Sequence, residues 1–272
     1  MTRSGRPSPG PASSARCENI PISDACTSLS RLSVNTCNPM LRGIAGKVLP
    51  VGLRQTMKRW LAQYLNIEPS IPTSYGCEIL QDGVHPELLC GWQDPLVAEL
   101  QEAAFAPLLR QMHEGRPRED FVALAEAVRL TGEADPLIVE VGCGSAWNSE
   151  VLASLWNRPF RYIGVDYSPA MIALAKQCYA GQPFVVGDAT ALPFRDRACD
   201  ILLSGSVLMH LLGYRTAIQE SRRVARKWCI FHTVPIVTKR STTILKKFAY
   251  GREVVEIVFN ADEFRTLLDE HG

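Results

Sequence analysis

The sequence predicts an α/β fold: a doubly wound, mostly parallel sheet with an N-terminal helical extension and a C-terminal sheet edge that reads as incomplete. Three observations predict it. Five short β-branched or aromatic runs, LIVEV (137–141), RYIGVD (161–166), FVVGD (184–188), DILLSGS (200–206) and CIFHTV (229–234), follow one another in one stretch of chain. Most of each run is continuously apolar rather than alternating, the pattern of strands covered on both faces. Helical patterns separate them, and strand–helix alternation calls for crossover connections and parallel pairing.

The elements follow in order. Residues 1–39 carry Pro7, Pro9, Pro11, Pro21 and Pro39 among many Ser and Thr, with little apolar clustering. Such a stretch cannot offset its ordering entropy and reads as a disordered tail, with Met40 as an alternative start. Residues 41–67 contain no acidic residue, while Arg42, Lys47, Arg54, Lys58 and Arg59 interleave with apolar side chains, Trp60 and Tyr64. This reads as an amphipathic helix packed on the main domain with a solvated basic face; peripheral contact with an anionic membrane or a partner is the alternative. The GIAGKV at 43–48 is too short for a phosphate-binding loop. Helical spacing continues at 95–110 (Val97, Leu100, Ala104, Leu108) and 119–130 (Phe121, Leu124, Ala125, Val128). The expected organisation is therefore a tail at 1–39, a helical lead-in or cap at 40–118, and the main domain at 119–272.

Within that domain, helices are expected at 148–156, at 169–180 with Ser168 as N-cap and Pro169 in the first turn, and at 216–227. A last helix is expected at 261–271. Either the chain is truncated after it, or EVVEIVFN (253–260) supplies an edge strand; an open edge invites pairing.

Composition removes several classes. With 29 basic against 28 acidic residues the net charge is +1, so no global field favours nucleic acid. The nine cysteines are odd in number, scattered and without C-x-x-C spacing, a pattern of reduced thiols rather than of a disulfide framework or zinc site. There is no run of 18 apolar residues and no apolar signal core near the N-terminus. The expected location is cytoplasmic.

In open α/β sheets the ligand sits beyond the C-terminal strand ends. The first parallel strand ends in Glu140-Val141-Gly142-Cys143-Gly144-Ser145-Ala146, where the glycines let the backbone approach a ligand. The second ends in Asp166, a carboxylate suited to a ribose diol. The third runs into Asp188, placed to receive an adenine amine.

At these residues the sequence resembles the class I S-adenosylmethionine-dependent methyltransferases, in particular the small-molecule, methyltransferase type 11-like kind. The resemblance rests on GDATALPF (187–194), CDILLS (199–204), VLMHL (207–211) and SRRV (221–224), and covers about 137–236. It implies a Rossmann-like fold and S-adenosyl-L-methionine as cofactor. It also implies roles: Glu140, Gly142 and Gly144 around the methionine part, Asp166 on the ribose with Tyr167 beside the adenine, Asp188 and Ala189 at the adenine amine, and Ser204 near the sulfonium. Ala146 stands where many members have Gly, and Ala225-Arg226-Lys227-Trp228 replaces a P-G-G turn. A nicotinamide dehydrogenase is disfavoured because its G-x-G-x-x-G would need Gly where Trp147 stands.

Methyl transfer needs alignment and, for a hydroxyl acceptor, a base. His210, after the fourth strand, and His232, in the fifth, are the candidates; the alternative for His210 is a helix residue capping or packing beside Leu208 and Leu211, and for His232 a hydrogen-bonded core histidine. The acceptor is expected to be a small molecule or a glycan or lipid intermediate, bound among the helices before residue 131 and the segment 241–260 with Phe248 and Tyr250. A catalytically silent cofactor-binding partner subunit is the competing reading. A nucleic-acid methyltransferase ranks lower, because Ser204-Gly205-Ser206-Val207 stands in place of the N/D-P-P-Y/F tetrad.

Overall fold

A computed structural model describes residues 74–80, 84 and 86–271; the tail at 1–39 and the basic segment 41–67 lie outside the described residues. The expected parallel sheet is present. Its strands are β2 (Leu137–Val141), β3 (Arg161–Asp166), β4 (Phe184–Val186), β5 (Cys199–Gly205) and β6 (Ala225–His232), in the order β4-β3-β2-β5-β6. Every neighbouring pair is parallel.

Side chains one residue apart on a strand face opposite layers, and both layers are packed. On one face Ile138, Tyr162, Ile201 and Leu203 meet helices α1 (Pro95–His113), α2 (Glu119–Leu130), α3 (Trp147–Val151) and α4 (Pro169–Cys178) through Leu109, Leu124, Val151 and Ile172. On the other, Val139, Val141, Val165 and Leu202 meet α5 (Tyr214–Val224) and α6 (Ala261–His271) through Ile218 and Leu267. The sheet is thus covered on both sides, which is why its strands read as continuous apolar runs.

Local chemistry explains several boundaries. Asp94 caps α1 by accepting the Leu96 N–H at 2.9 Å, with Pro95 in the first turn. Ser168 caps α4, accepting from Met171 N, with Pro169 after it. Helix α3 widens into a π turn over Leu152–Trp156 and stops at Asn157, which is left-handed at φ 53°.

Three expectations need correction. Helix α5 ends at Val224, not 227: Ala225 takes extended geometry (φ −70°, ψ 135°) and pairs at once with Cys199, while Arg226 is drawn to Asp200 at the start of β5. Where many members of the resembled family have a P-G-G turn, helix here passes directly into strand.

The second correction is at 74–79, inside the stretch read as helical lead-in. Ser74–Ile79 is a strand, β1, in a second sheet with β7 (Ile236–Val237), β8 (Thr243–Ala249) and β9 (Arg252–Asn260), ordered β1-β8-β9-β7. Third, 253–260 is a strand but not an edge of the parallel sheet. It is β9, interior to the second sheet between antiparallel β8 and parallel β7, while the parallel sheet ends at β6. Strands β8 and β9 are joined by Tyr250 and Gly251, both at positive φ (48° and 84°), the geometry of a two-residue hairpin turn.

The second sheet lies on the α5–α6 side, where Val255, Ile257 and Phe259 of β9 join the core. A third cluster, Val97, Ala98, Met171, Leu174, Ala249, Tyr250 and Val254, ties α1 and α4 to the β8–β9 hairpin. Among the described residues no helix is long and apolar enough to cross a membrane.

Candidate active site

The chain leaves β2 through a loop with three left-handed residues, Gly142 (φ 69°), Gly144 (φ 56°) and Ala146 (φ 70°). At Gly142 both conformation and space demand glycine: a Cβ there would lie 2.1 Å from Val207 Cγ2. Gly142 N and Cys143 N both donate to the Val165 carbonyl, at 2.7 and 3.0 Å, so the loop folds across the end of β3.

Asp166 closes that junction. Its Oδ2 accepts the Gly144 N–H at 2.9 Å and its Oδ1 the Ser168 N–H at 2.8 Å. Burial raises its pKa, opposed by those backbone donors. The Gly187 N–H donates to the Asp166 carbonyl at 3.0 Å, which sets Asp188 next to Asp166 along the strand ends. Asp188 is exposed, and its Oδ1 accepts from Thr190 N (2.7 Å) and Thr190 Oγ1 (2.8 Å); Ala189 behind it is buried. Tyr167 is 38% exposed and its hydroxyl donates to the Leu89 carbonyl at 3.4 Å.

Glu140 and Ser204 are placed deeper. Glu140 is fully buried beneath the loop, with Asn148 Nδ2 donating to Oε1 at 2.6 Å and the Tyr162 hydroxyl donating to Oε2. Burial raises its pKa to about 7, against the pull of those two donors. Both oxygens therefore serve internal partners, so Glu140 supports the loop from below. Ser204 is buried in β5, between Val141 and Phe231.

Helix α1 contributes residues that sequence reading missed. Gln101 Oε1 is buried without a hydrogen-bond partner, 3.6 Å from the position a Gly144 Cβ would take. Glu102 accepts a hydrogen bond from Ser145 Oγ, and Phe105 stacks on Trp147 with centroids 3.9 Å apart. A signal was available: Gln101 is one helical turn from Val97 and from Phe105, a polar side chain on the apolar stripe.

The two histidines differ. His210 ends a 3-10 turn, Leu208–His210, and its Nδ1 is 2.7 Å from the Val255 carbonyl of β9. A carbonyl only accepts, so Nδ1 carries the proton and Nε2 presents a lone pair. Burial pushes its pKa down to about 4, so the ring is neutral at pH 7. His232 is the last residue of β6. Its ring rests over Gly205, where a Cβ would lie 2.2 Å from Nε2. Its Nδ1 is 2.9 Å from Thr233 Oγ1, and Nε2 is buried without a partner. Burial lowers its pKa to about 4 as well.

The expected meeting of the N-terminal elements with 241–260 occurs in direct contact rather than around an open concavity. Gly91 packs its backbone against Val254 and Glu253, and the Trp92 ring lies 4.6 Å from His210 and 5.9 Å from Tyr250. A cleft of about 410 Å³ lies elsewhere, by Asp196, Arg197, Gln219, Arg222, Arg223 and His271, near the start of β5.

Comparison with known proteins bears on this arrangement. Residues 139–231 match a family model described as a methyltransferase domain. An O-methyltransferase of Penicillium expansum is 26% identical over 188 residues, 66% of this chain and 62% of its own length. A demethylmenaquinone methyltransferase of Chlorobaculum tepidum is 27% identical over 121 residues, 44% of this chain and 48% of its own. This chain therefore spans less than two thirds of either relative. The crystal structure of the Burkholderia thailandensis 1,6-didemethyltoxoflavin-N1-methyltransferase is 15% identical, with 72% of this chain and 83% of that one covered at a TM-score of 0.49. The matched segment contains the glycine loop, Asp166, Asp188 and the β5 end, so the residues of the candidate site lie in the part of the chain that is similar to a methyltransferase domain.

Proposed function

We propose that the protein transfers a methyl group from S-adenosyl-L-methionine to a small-molecule acceptor. The observation that carries this is the glycine loop hydrogen-bonded to Asp166 with Asp188 beside it, inside the segment that matches the methyltransferase family. The residues fit the cofactor: Gly142 and Gly144 hold the loop in the left-handed geometry that lets its backbone face a ligand, and Gln101 Oε1 is a buried acceptor short of a donor, suited to the cofactor's ammonium. Asp166 already receives two backbone N–H groups, yet a carboxylate has acceptor capacity left for a ribose hydroxyl. Tyr167, Asp188 and Ala189 form the adenine end, and Ser204 lies behind the reacting end. Glu140 acts through the loop by fixing Asn148 and Tyr162.

When bound, the cofactor supplies an activated methyl on a sulfonium, so the protein's task is alignment and proton removal. His210 Nε2 is the proton acceptor, since its tautomer is set by the Val255 carbonyl and the ring is neutral. His232, over Gly205, is the second candidate, supported by its unpartnered buried Nε2. Relatives named for O-methylation and for demethylmenaquinone support a small-molecule acceptor.

Calorimetric titration with S-adenosylmethionine and S-adenosylhomocysteine tests the reading. Micromolar binding is expected, lost in Asp166→Ala and weakened about tenfold in Asp188→Ala by removal of one polar contact. A folded chain that binds neither ligand would falsify it.

A further inference from the structure

A buried charge is normally paired with an opposite one or bound to a metal. Glu140 has neither. It is fully buried beneath the glycine loop, and both of its donors, Asn148 Nδ2 and the Tyr162 hydroxyl, are neutral. Asp166 is a second carboxyl, near enough to oppose ionisation of Glu140, and it is served by the backbone N–H groups of Gly144 and Ser168. The Cys143 thiol between them is kept protonated by burial. On the helices over this face, Ser145 donates to Glu102 of α1, Glu150 of α3 receives Tyr179 and pairs with His113 of α1, and Arg118 pairs with Asp120 at the start of α2. Helix α4 turns only Met171, Ile172, Leu174 and Ala175 inward. Among the described residues no lysine, arginine or histidine pairs with Glu140 or Asp166.

On the α1 side of the same loop, Gln101 Oε1 is a buried acceptor with no donor. The loop is thus bordered by acceptors that lack a cation. We propose that Glu140 is a proton-linked positioning residue: it holds a proton while the site is empty and gives it to water when the α-ammonium of S-adenosyl-L-methionine supplies the missing counter-ion. The inference rests on the methyltransferase reading and adds a proton to the binding step at that same site. Both Glu140 oxygens already have partners, so the attraction acts across the loop rather than by contact.

The Tyr162 contact serves both states, because a hydroxyl donates and accepts. When Glu140 is charged, the Tyr162 O–H donates to Oε2. When it is protonated, Oε2–H donates to the Tyr162 oxygen while Asn148 still donates to Oε1. The Tyr162 hydrogen then loses its acceptor, which favours release once a cation is present. On release the Oε2–H bond breaks, its electron pair stays on the carboxylate and the proton goes to water. With a pKa of about 7, roughly half of the empty molecules carry the proton at pH 7. A nearby positive charge lowers that value. Linkage then makes binding release up to about half a proton at pH 7 and strengthens it up to about tenfold between pH 6 and pH 8.

The test is calorimetric titration of the full chain at pH 7 in phosphate and in Tris, whose different ionisation enthalpies convert the heats into protons exchanged. S-adenosylmethionine and S-adenosylhomocysteine both carry the ammonium, and 5′-methylthioadenosine lacks it. The ligand amine itself titrates near this pH, so the quantity read is the difference between the unaltered chain and Glu140→Gln, which keeps the shape without the charge. With either of the first two ligands the unaltered chain should release up to about half a proton more than the variant, and with the third no more than the variant. Equal proton counts overturn the proposal, as does uptake by the unaltered chain relative to the variant, or the same release with 5′-methylthioadenosine. Carbon-13 labelling of the glutamate carboxyls gives a second reading on the unaltered chain alone. One signal should titrate near pH 7 in the empty chain and move to its charged position when an ammonium-bearing ligand is bound. No such signal, or one that binding leaves in place, overturns the proposal even if the variant fails to fold. Failure of the unaltered chain to bind S-adenosylmethionine and S-adenosylhomocysteine would instead remove the methyltransferase reading beneath it.

Discussion

At the scale of single residues, hydrogen bonds inside the protein decide what each polar group can still do. His210 illustrates it. With Nδ1–H committed to Val255 and the ring neutral, His210→Gln should keep cofactor affinity while slowing transfer to a hydroxyl by about 10²–10⁴, the usual worth of a general base. The sign of the pH dependence follows from its depressed pKa of about 4. The base form persists well below the usual 6.5, so the His210-dependent rate should stay level from pH 8 to about 5 and fall only as pH approaches 4. A rate that halves near pH 6.5 would show a solvent-exposed imidazole instead. Ala146 offers a second residue-scale expectation. It is buried, left-handed at φ 70°, and starts α3, a conformation that costs a non-glycine residue about 1–2 kcal/mol. Ala146→Gly should raise stability in urea unfolding by up to about 1 kcal/mol, the gain being trimmed by the extra freedom of glycine in the unfolded chain.

At the scale of elements, α1 has a role its periodicity hid. Its apolar stripe announces a helix, and that helix brings Gln101, Glu102 and Phe105 onto the glycine loop. Phe105→Ala removes the stack on Trp147 and should cost about 2–4 kcal/mol in unfolding free energy, toward the low end for a partly buried ring. Cofactor affinity should fall with it, because α1 loosens from Gly144; unchanged affinity would show that α1 is only a scaffold. The five parallel strands were legible because strands buried on both faces leave a continuous apolar record, as in Ile138, Val139 and Val141. Gly142, Gly144 and Asp166 were legible because backbone geometry at strand ends restricts residue type. The second sheet was not. Strand β1 pairs with β8 across more than 160 positions of sequence, and nothing local in SYGCEI names that partner. The start of β6 was missed because Ala225, Arg226 and Lys227 are good helix formers, overruled by pairing with Cys199 and by the Arg226–Asp200 ion pair. Gln101 left only a faint trace, a polar side chain on an apolar stripe; what marks it as a site residue is a missing partner, a property of the folded chain alone.

For the whole molecule, the buried titratable groups pull stability in opposite directions with pH. Glu140 has a folded pKa of about 7, above its usual 4.5, so the stability it contributes is fully present below pH 4.5 and is lost as pH rises through 7. His210 and His232 have folded values of about 4, below their usual 6.5, so theirs is present above pH 6.5 and is lost as pH falls through 4. Between pH 4.5 and 6.5 the two effects oppose each other, and the wild-type curve should be flatter there than either would make it. Glu140→Gln removes one side of that balance. The carboxamide keeps an acceptor oxygen for one of its donors, Asn148 Nδ2 or the Tyr162 hydroxyl, at the cost of one mismatched contact. Relative to wild type the variant should therefore be least favourable near pH 4.5 and gain steadily up to about pH 7, above which the difference levels off. Urea unfolding of both proteins at pH 4.5, 6 and 8 measures it. A difference that does not change with pH would mean that Glu140 ionises as easily in the folded protein as in water, and that the hydrogen bonds from Asn148 and Tyr162 offset the whole of the burial penalty on its charge.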